Sequence, residues 1–395
     1  MHFSRFYVTF HKLLHLGIKN KQVFFVLLSI LRNFATMNKW RMPAEWEPQA
    51  FVQLTWPHAD TDWQPILNEI TETYVEMANA ISAREDLLIV HPKPEEVKEL
   101  LASRISDAQM KRITFFACET NDTWARDHGF ITLLEERGER REEREYHLLD
   151  FCFNGWGEKF EAKLDNAINA KLFSKLPCYS NNQNYEDHLD FVLEGGSIES
   201  DGKGTIFTTR CCLLAPHRNQ PLTEKEIEAE LKRRLHAERV VWLDCEPMDG
   251  DDTDGHIDTM VRIAPNDTLL YNGSLLPSTP LEEERIGAVR KFLYEQLQDL
   301  RTLDGKPYRL LELPLPLPIY DEDGEKMPAT YANFLILNGA VLVPTYEQPD
   351  VDNKAISIIQ QAFPEREIIA IDSRSIIKQH GSIHCCTMQF PKNDK

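Results

Sequence analysis

From Met42 onward, short runs of β-branched and aromatic residues alternate with stretches whose apolar residues recur every three or four positions, and this alternation restricts the chain to an α/β architecture. Phe51–Trp56 reads as a strand ended by Pro57. The next stretch carries Ile66, Ile70, Tyr74, Met77 and Ile81 on one helical face. Leu87–Val90 is then a buried strand, Glu95–Arg104 a helix and Ile113–Ala117 a strand. The spacing predicts further helices over Glu158–Phe173, Thr223–Leu235, Leu281–Leu297 and Asp352–Phe363. Between them, strands are expected at Arg239–Leu243, Thr268–Tyr271, Ala340–Val343 and Ile368–Ile371. Hairpin turns fall at Asp201-Gly202 within Ser197–Thr209 and at Asn338-Gly339 within Leu335–Leu342. About five similar α/β units fill the chain. The charged run Glu135–Glu145 reads as a solvated loop or hairpin tip, and Pro314–Pro318 as an extended connector.

A chain of 395 residues that is 42% apolar buries a substantial core. Its 63 acidic residues against 44 basic ones argue against a nucleic-acid or anionic-membrane surface and suit a small cationic substrate, although solubility alone explains the same balance. Eight cysteines without CxxC spacing, two pairs of them adjacent, form neither a zinc cluster nor a disulfide framework. A reducing, cytoplasmic setting and a single activated cysteine are the expectation. Residues 1–36 differ in texture: basic, aromatic, and with one apolar run, Val23–Leu31, too short to span a bilayer. They read as an extension outside the fold, the working domain being 37–395 with Met37 as its start. Secretion through this segment is the alternative.

Chemistry concentrates in four places. Gly250–Thr259 sets His256 among the carboxylates of Asp251, Asp252, Asp254 and Asp258. If a strand begins at His256, then His256 and Asp258 share a face, with a base and an anion side by side. A solvated acidic loop is the competing reading. A calcium loop fails, because placing Gly255 at its invariant glycine puts Gly250 and Val261 at ligand positions. Asn121–Gly129 offers Asp127, with a salt bridge to Arg126 as the competing role, and Trp124, a core residue or a flat platform for a cation. Glu194-Gly195-Gly196 couples a carboxylate to a backbone that something can approach closely. Gly381–Gln389 presents Cys385 and Cys386 to opposite sides of a short strand, so one thiol at most enters a site. Such a thiol needs a positive partner, and His256 is available across the fold. Tyr331–Phe334 and Val343–Tyr346 read as scaffold.

These motifs, together with Trp46-Glu47-Pro48 and Trp56-Pro57-His58, make the chain resemble the agmatine deiminase family of guanidino-group modifying enzymes, a group that includes bacterial peptidylarginine deiminases. The resemblance runs from about Met42 to Gln389. It implies a pentein β/α propeller of five ββαβ-type units with pseudo-fivefold symmetry. It implies Cys385 as nucleophile, His256 as acid/base, Glu194 as the carboxylate that orients it, and Asp127 and Asp258 as the pair that grips a guanidinium. No metal or organic cofactor is called for. The sequence departs from the family at Phe130, at Gln379-His380 before Gly381, and at Cys386, with His128 and His380 beside the expected site. The implied reaction is deimination of agmatine to N-carbamoylputrescine and ammonia through a covalent thiouronium, with Asp251, Asp252 and Asp254 available for the substrate's amine. Peptidyl-arginine as substrate and a non-catalytic guanidinium- or polyamine-binding role are the alternatives. The expected partner is a small guanidinium compound; no nucleic acid and no stable membrane association are expected, and a homo-oligomer is left open.

Overall fold

The structure, a computed structural model, describes residues 39–136, 146–176, 183–245, 250–273 and 292–392. Among them, five sheets share one plan: two antiparallel strands, then a third strand running parallel to the second. Ile131–Glu136 and Tyr146–Cys152 pair antiparallel, and Gln183–Val192 returns parallel to Tyr146–Cys152. Ile198–Ser200, Thr205–Thr209 and Arg239–Leu243 repeat the pattern. So do Val261–Ala264, Thr268–Asn272 and Arg309–Leu313, and then Leu335–Leu337, Ala340–Thr345 and Glu367–Asp372. The remaining sheet joins the two ends of the fold. Its strand Thr387–Pro391 lies antiparallel to Gln49–Thr55, which is followed in parallel by Asp86–His91 and Ile113–Ala117. This is the pentein arrangement of five ββαβ units that the resemblance implies.

Local sequence explains the parallel crossovers. The helix Leu67–Ser82 buries Ile70, Tyr74, Met77 and Ile81 at the predicted spacing and carries the chain from Gln49–Thr55 back to Asp86–His91. Glu224–Arg234 starts at a capping box between Thr223 and Glu226 and buries Ile227 and Leu231. Pro349–Ala362 opens on proline, whose missing N–H costs nothing in a first turn. Central strands such as Thr205–Thr209 and Thr268–Asn272 are buried throughout, as parallel neighbours covered by helices require.

Two expectations are corrected. The helix predicted over Glu158–Phe173 reduces to Ile168–Lys175, preceded by a single 3-10 turn at Asp165–Ala167. Upstream, Gly155, Trp156, Gly157 and Glu158 all take positive φ, between 56° and 86°, and a right-handed helix cannot propagate from left-handed residues. Nor does a strand begin at His256: Ile257–Thr259 is one turn of 3-10 helix, and the strand starts at Val261. Of Leu281–Leu297, residues 292–297 are described and are helical; the rest lies outside the described residues, as do residues 1–36 and the tip of the charged run beyond Glu136. Pro314–Pro318 takes no regular structure, as expected of a connector.

The same plan positions the site, because each unit's first strand is entered through a tight turn. The helical turn Ala125–His128 leads into Ile131–Glu136, Gly195–Ser197 into Ile198–Ser200, and Ile257–Thr259 into Val261–Ala264. Tyr331–Phe334 leads into Leu335–Leu337, and Ile383–Cys386 into Thr387–Pro391. Since the backbone pairing of Thr387–Pro391 among the described residues is with Gln49–Thr55, the strand that follows the Cys385 turn is anchored by that pairing. Phe390 is buried and stacks on Phe51 with ring centroids 4.4 Å apart. Phe390→Ala is therefore expected to cost about 3–5 kcal/mol, read as a lower urea midpoint at unchanged slope; a midpoint equal to wild type would show that the strand closure contributes little.

Candidate active site

The five entry turns bring their side chains together. Asp127 Oδ1 accepts the backbone N–H of Gly196 at 2.9 Å, and Oδ2 accepts the indole N–H of Trp156 at 2.9 Å. His256 Nδ1 lies 3.7 Å from Asp127 Oδ1. Asp258 Oδ2 stands 2.7 Å from His384 Nδ1 and 4.0 Å from Cys385 Sγ. The Cys385 thiol donates to Asn333 Oδ1 at 3.3 Å, and the same oxygen accepts the backbone N–H groups of His384 and Cys385 at 3.1 and 3.3 Å. Cys385, His256, Glu194, Asp127 and Asp258 are all buried. Glycine is required at the centre: a Cβ on Gly196 would stand 2.6 Å from His256 Nδ1 and 2.9 Å from Asp127 Oδ1. At Gly195 it would collide with the carbonyl of Arg126.

Electrostatics separates the two facing carboxylates. Burial pushes Asp127 up, reinforced by the charges of Asp258 and Glu194 and opposed by His256 and the Trp156 hydrogen bond. Burial also works on Asp258, but the hydrogen bond and charge of His384, with His256 and Arg262, outweigh it and hold this carboxyl below its ordinary range. The Cys385 thiol is pushed well up by burial and then by the anions Asp258 and Asp127. Both effects favour the protonated thiol. Among the described residues, both ring nitrogens of His256, and Oδ1 of Asp258, lack a hydrogen-bond partner although buried. Unsatisfied buried polar atoms are costly, and a ligand with N–H donors would relieve that cost.

Several of the groups that hold this arrangement gave no sequence signal. Glu45 accepts Arg126 Nη1 at 3.0 Å and Arg262 Nη2 at 2.6 Å, and lies 2.8 Å from His384 Nε2. Arg218 is buried and donates to Glu194 Oε1 at 3.0 Å, Asp254 Oδ2 at 2.7 Å and the carbonyl of Thr253 at 2.9 Å. Trp156 reaches Asp127 only because its backbone takes the left-handed conformation, with φ 56°. Asn333 sits in a segment read as scaffold. A signal for it existed in the repeat itself: four of the five entry turns carry residues singled out from the sequence, and the fifth is Tyr331–Phe334.

The remaining expected residues are distributed unevenly. Trp124 is buried against Gly381, gives its indole N–H to Asp122 at 2.9 Å, and meets Trp156 edge-on. Asp251 is consumed in its own loop, accepting the N–H groups of Thr253 and Gly255 and the Thr253 hydroxyl. Asp254 is matched by Arg218 and by Lys159, whose Nζ is 2.8 Å away, so the expectation that it is free for a substrate amine is corrected. The Asp252 carboxylate is half-exposed, and its nearest charged neighbour among the described residues is His380 at 3.9 Å. His380 Nδ1 lies 2.6 Å from the carbonyl of Gly250 and ties the two loops together. Cys385 lies on a turn, not a strand; Cys386 points away into the core beside Tyr74. His128 faces Thr55, and burial pushes it down to about 3, so it stays neutral.

Because the backbone at Gly196 carries no positive φ, Gly196→Ala tests crowding of the site alone. A displacement of the His256 ring by about 1 Å is expected to lower turnover on the order of 100-fold with an unchanged unfolding midpoint. Full activity in a well-folded variant would mean that His256 and Asp127 need not stand as close as they do.

Known proteins share this sequence and fold. The sequence pattern of the Porphyromonas-type peptidyl-arginine deiminase family matches residues 41–391. A Vibrio parahaemolyticus protein provisionally named agmatine deiminase is 32% identical over 367 residues, spanning 88% of this chain and 96% of its own. A crystal structure of a Porphyromonas gingivalis protein, provisionally named an arginine deiminase, is 44% identical with a TM-score of 0.79, covering 90% of this chain and 99% of that one. A C. jejuni agmatine deiminase solved with substrate bound, in a cysteine-to-serine variant, is 33% identical with a TM-score of 0.78, covering 91% and 98%. With the match extending over nearly all the described residues, the chain belongs to the Porphyromonas-type peptidyl-arginine deiminase family.

Proposed function

We propose that this protein hydrolyses agmatine to N-carbamoylputrescine and ammonia through a covalent intermediate on Cys385. The observation that carries the reading is the buried thiol beside two carboxylates of opposite tuning, with a buried imidazole 3.7 Å from Asp127 whose ring nitrogens have no hydrogen-bond partner among the described residues. A guanidinium between Asp127 and Asp258 makes charge-assisted hydrogen bonds to both and turns its central carbon toward Sγ. Its positive charge offsets the anions that hold the proton on Cys385, so the thiolate forms when substrate is in place, the proton passing to His256. Attack gives a tetrahedral adduct. His256 protonates one amino group, ammonia leaves, and a thiouronium remains on sulfur. His256 then takes a proton from water; the hydroxide adds to the same carbon, and collapse expels the thiolate and frees the ureido product. Glu194, fixed by Arg218, orients the imidazole in both halves.

Enclosure favours a small substrate. Every proposed catalytic group is buried, and His380, joined to Gly250, bridges the two loops beside Trp124. Charge favours an amine tail over a carboxylate tail: Arg218 and Lys159, cations near the site, are both matched by carboxylates, whereas Asp252 keeps its charge half-exposed. The test is ammonia release from agmatine, free arginine and an N-blocked, C-amidated arginine, in wild type and Cys385→Ala. Release from agmatine alone, lost in the variant, is expected. Release only from the blocked arginine would transfer the assignment to peptidyl-arginine, and none from any of the three would leave a guanidinium-binding protein.

The raised thiol sets a second expectation, readable without substrate. Alkylation of Cys385 by iodoacetamide should be slow at neutral pH and rise only above the ordinary thiol range of about 8.5. Removing a neighbouring anion stabilises the thiolate, so Asp258→Asn should shift the rise to lower pH, and Asp127→Asn should act in the same direction. An unshifted profile in both variants would mean that burial alone keeps the proton on sulfur.

A further inference from the structure

Cys212 is a buried thiol that the proposed reaction does not use, standing beside two groups that it does. It lies in the short helix Arg210–Leu213 that follows Thr205–Thr209, its backbone N–H held by Thr209 Oγ1. One ligand-type atom from each of Cys212, Glu194 and His256 lies within 4.8 Å of the other two, and all three residues are fully buried. The independent second feature is His256 itself, whose two ring nitrogens are buried and without a hydrogen-bond partner among the described residues. Thiolate, imidazole and carboxylate are the donor set of a borderline-soft dication such as zinc, not of magnesium or calcium. Zinc bonds of about 2.0–2.3 Å put tetrahedral ligand atoms roughly 3.3–3.8 Å apart. The three side chains need to close only slightly, leaving the fourth position to water.

The adverse neighbour is Arg218, with Nε 3.0 Å from Glu194 Oε1. It is outnumbered: the charges felt at Cys212 are those of Glu194, Asp251 and Asp127 against the one of Arg218, so a dication still enters a region of net negative charge. A second cluster of the same kind, Glu45, Glu199 and His384, differs in that Arg262 and Arg126 already fill it.

We propose that Glu194, Cys212 and His256 form an inhibitory zinc site. Binding replaces the Cys212 S–H bond by a sulfur–metal bond, releases that proton to solvent, and removes the imidazole and its carboxylate from acid/base work. Inhibition rests on the catalytic reading of His256; binding does not. Because a proton must leave the thiol, affinity rises with pH.

The experiment titrates zinc chloride and, as a spectroscopic stand-in, cobalt chloride into wild type, Cys212→Ser and Cys385→Ser, following cobalt–thiolate charge-transfer absorption and ammonia release from agmatine. One cobalt per chain with a thiolate band is expected in wild type and Cys385→Ser, but not in Cys212→Ser. The Cys212→Ser enzyme should keep its basal turnover and need at least about 10-fold more zinc for half-inhibition, while magnesium inhibits neither active protein. Cys212→Ala, which buries no hydroxyl, repeats the comparison if the serine variant misfolds. A band that survives in Cys212→Ser and disappears in Cys385→Ser would overturn the proposal by placing the ion on the nucleophile, and no bound metal in wild type would end it. A band that depends on Cys212 in a protein that releases ammonia from none of the guanidinium compounds would uphold the metal site and sink the deiminase reading instead.

Discussion

One carboxylate holds the site together. Glu45 is shared by three side chains, and each of them adjoins a different segment of the candidate site: Arg126 precedes Asp127, His384 precedes Cys385, and Arg262 follows Asp258 into its strand. Burial would drive Glu45 toward the neutral acid, but the charges of His384, Arg126 and Arg262 prevail and hold it well below its ordinary range. Arg262 extends the grip. It pairs with Glu199 just beyond the Gly195-Gly196 turn, donates to the carbonyls of Ala332 and Phe334 on either side of Asn333, and lies 4.5 Å over the Phe334 ring. All five entry turns are thus bound to one buried network. Such networks add little net stability, because desolvation consumes most of the Coulombic gain. What this one supplies is geometry: the hydrogen-bond directions of a guanidinium and a carboxylate tolerate few alternative placements of the turns they join.

That rigidity gives the opposite tuning of Asp127 and Asp258 a structural cause. Asp258 has a histidine at 2.7 Å backed by Glu45, whereas Asp127 has only the neutral donors Trp156 and Gly196 as close partners, with His256 farther off at 3.7 Å. Neutral donors orient a carboxylate without cancelling its exclusion from water, so burial wins at Asp127 and charge wins at Asp258. The left-handed turn at Gly155–Glu158 serves this difference. It is the backbone strain that delivers the Trp156 indole, and the glycines on either side keep that strain tolerable.

Much of the architecture could be read from the chain because it is written locally. Strand and helix periodicities, the Asn338-Gly339 and Asp201-Gly202 turns and the capping signals each involve residues close in sequence, and they recovered the repeated unit. The residues the structure gathers first, Asp127, His256, Asp258 and Cys385, stood out because polar clusters beside glycine are unusual. What could not be read is non-local. The partners of Glu45 are 81, 217 and 339 residues away, and nothing in the neighbourhood of Glu45 or Arg218 distinguishes them from surface charges. The strand reading of His256–Asp258 failed for a related reason. Alternation and a 3-10 turn both bring the two side chains to one site, so the pattern fixed their proximity and not the backbone that produced it.

The loop 250–255 shows how recognition and chemistry are coupled. Asp254 cannot serve a substrate amine without releasing Arg218, and Arg218 is what fixes Glu194 beside His256. Lys159 closes the circuit, reaching from the Trp156 turn to Asp254 and to the carbonyl of Asp252. A charge removed at Asp254 is therefore felt at Glu194 through Arg218 and, through Lys159, at the turn that carries the Trp156 donor to Asp127. Asp252 stands outside that circuit, with a backbone carbonyl used by Lys159 and a carboxylate left toward solvent. Within this loop it is the acidic side chain that can change its partner without disturbing the Arg218–Glu194 pair.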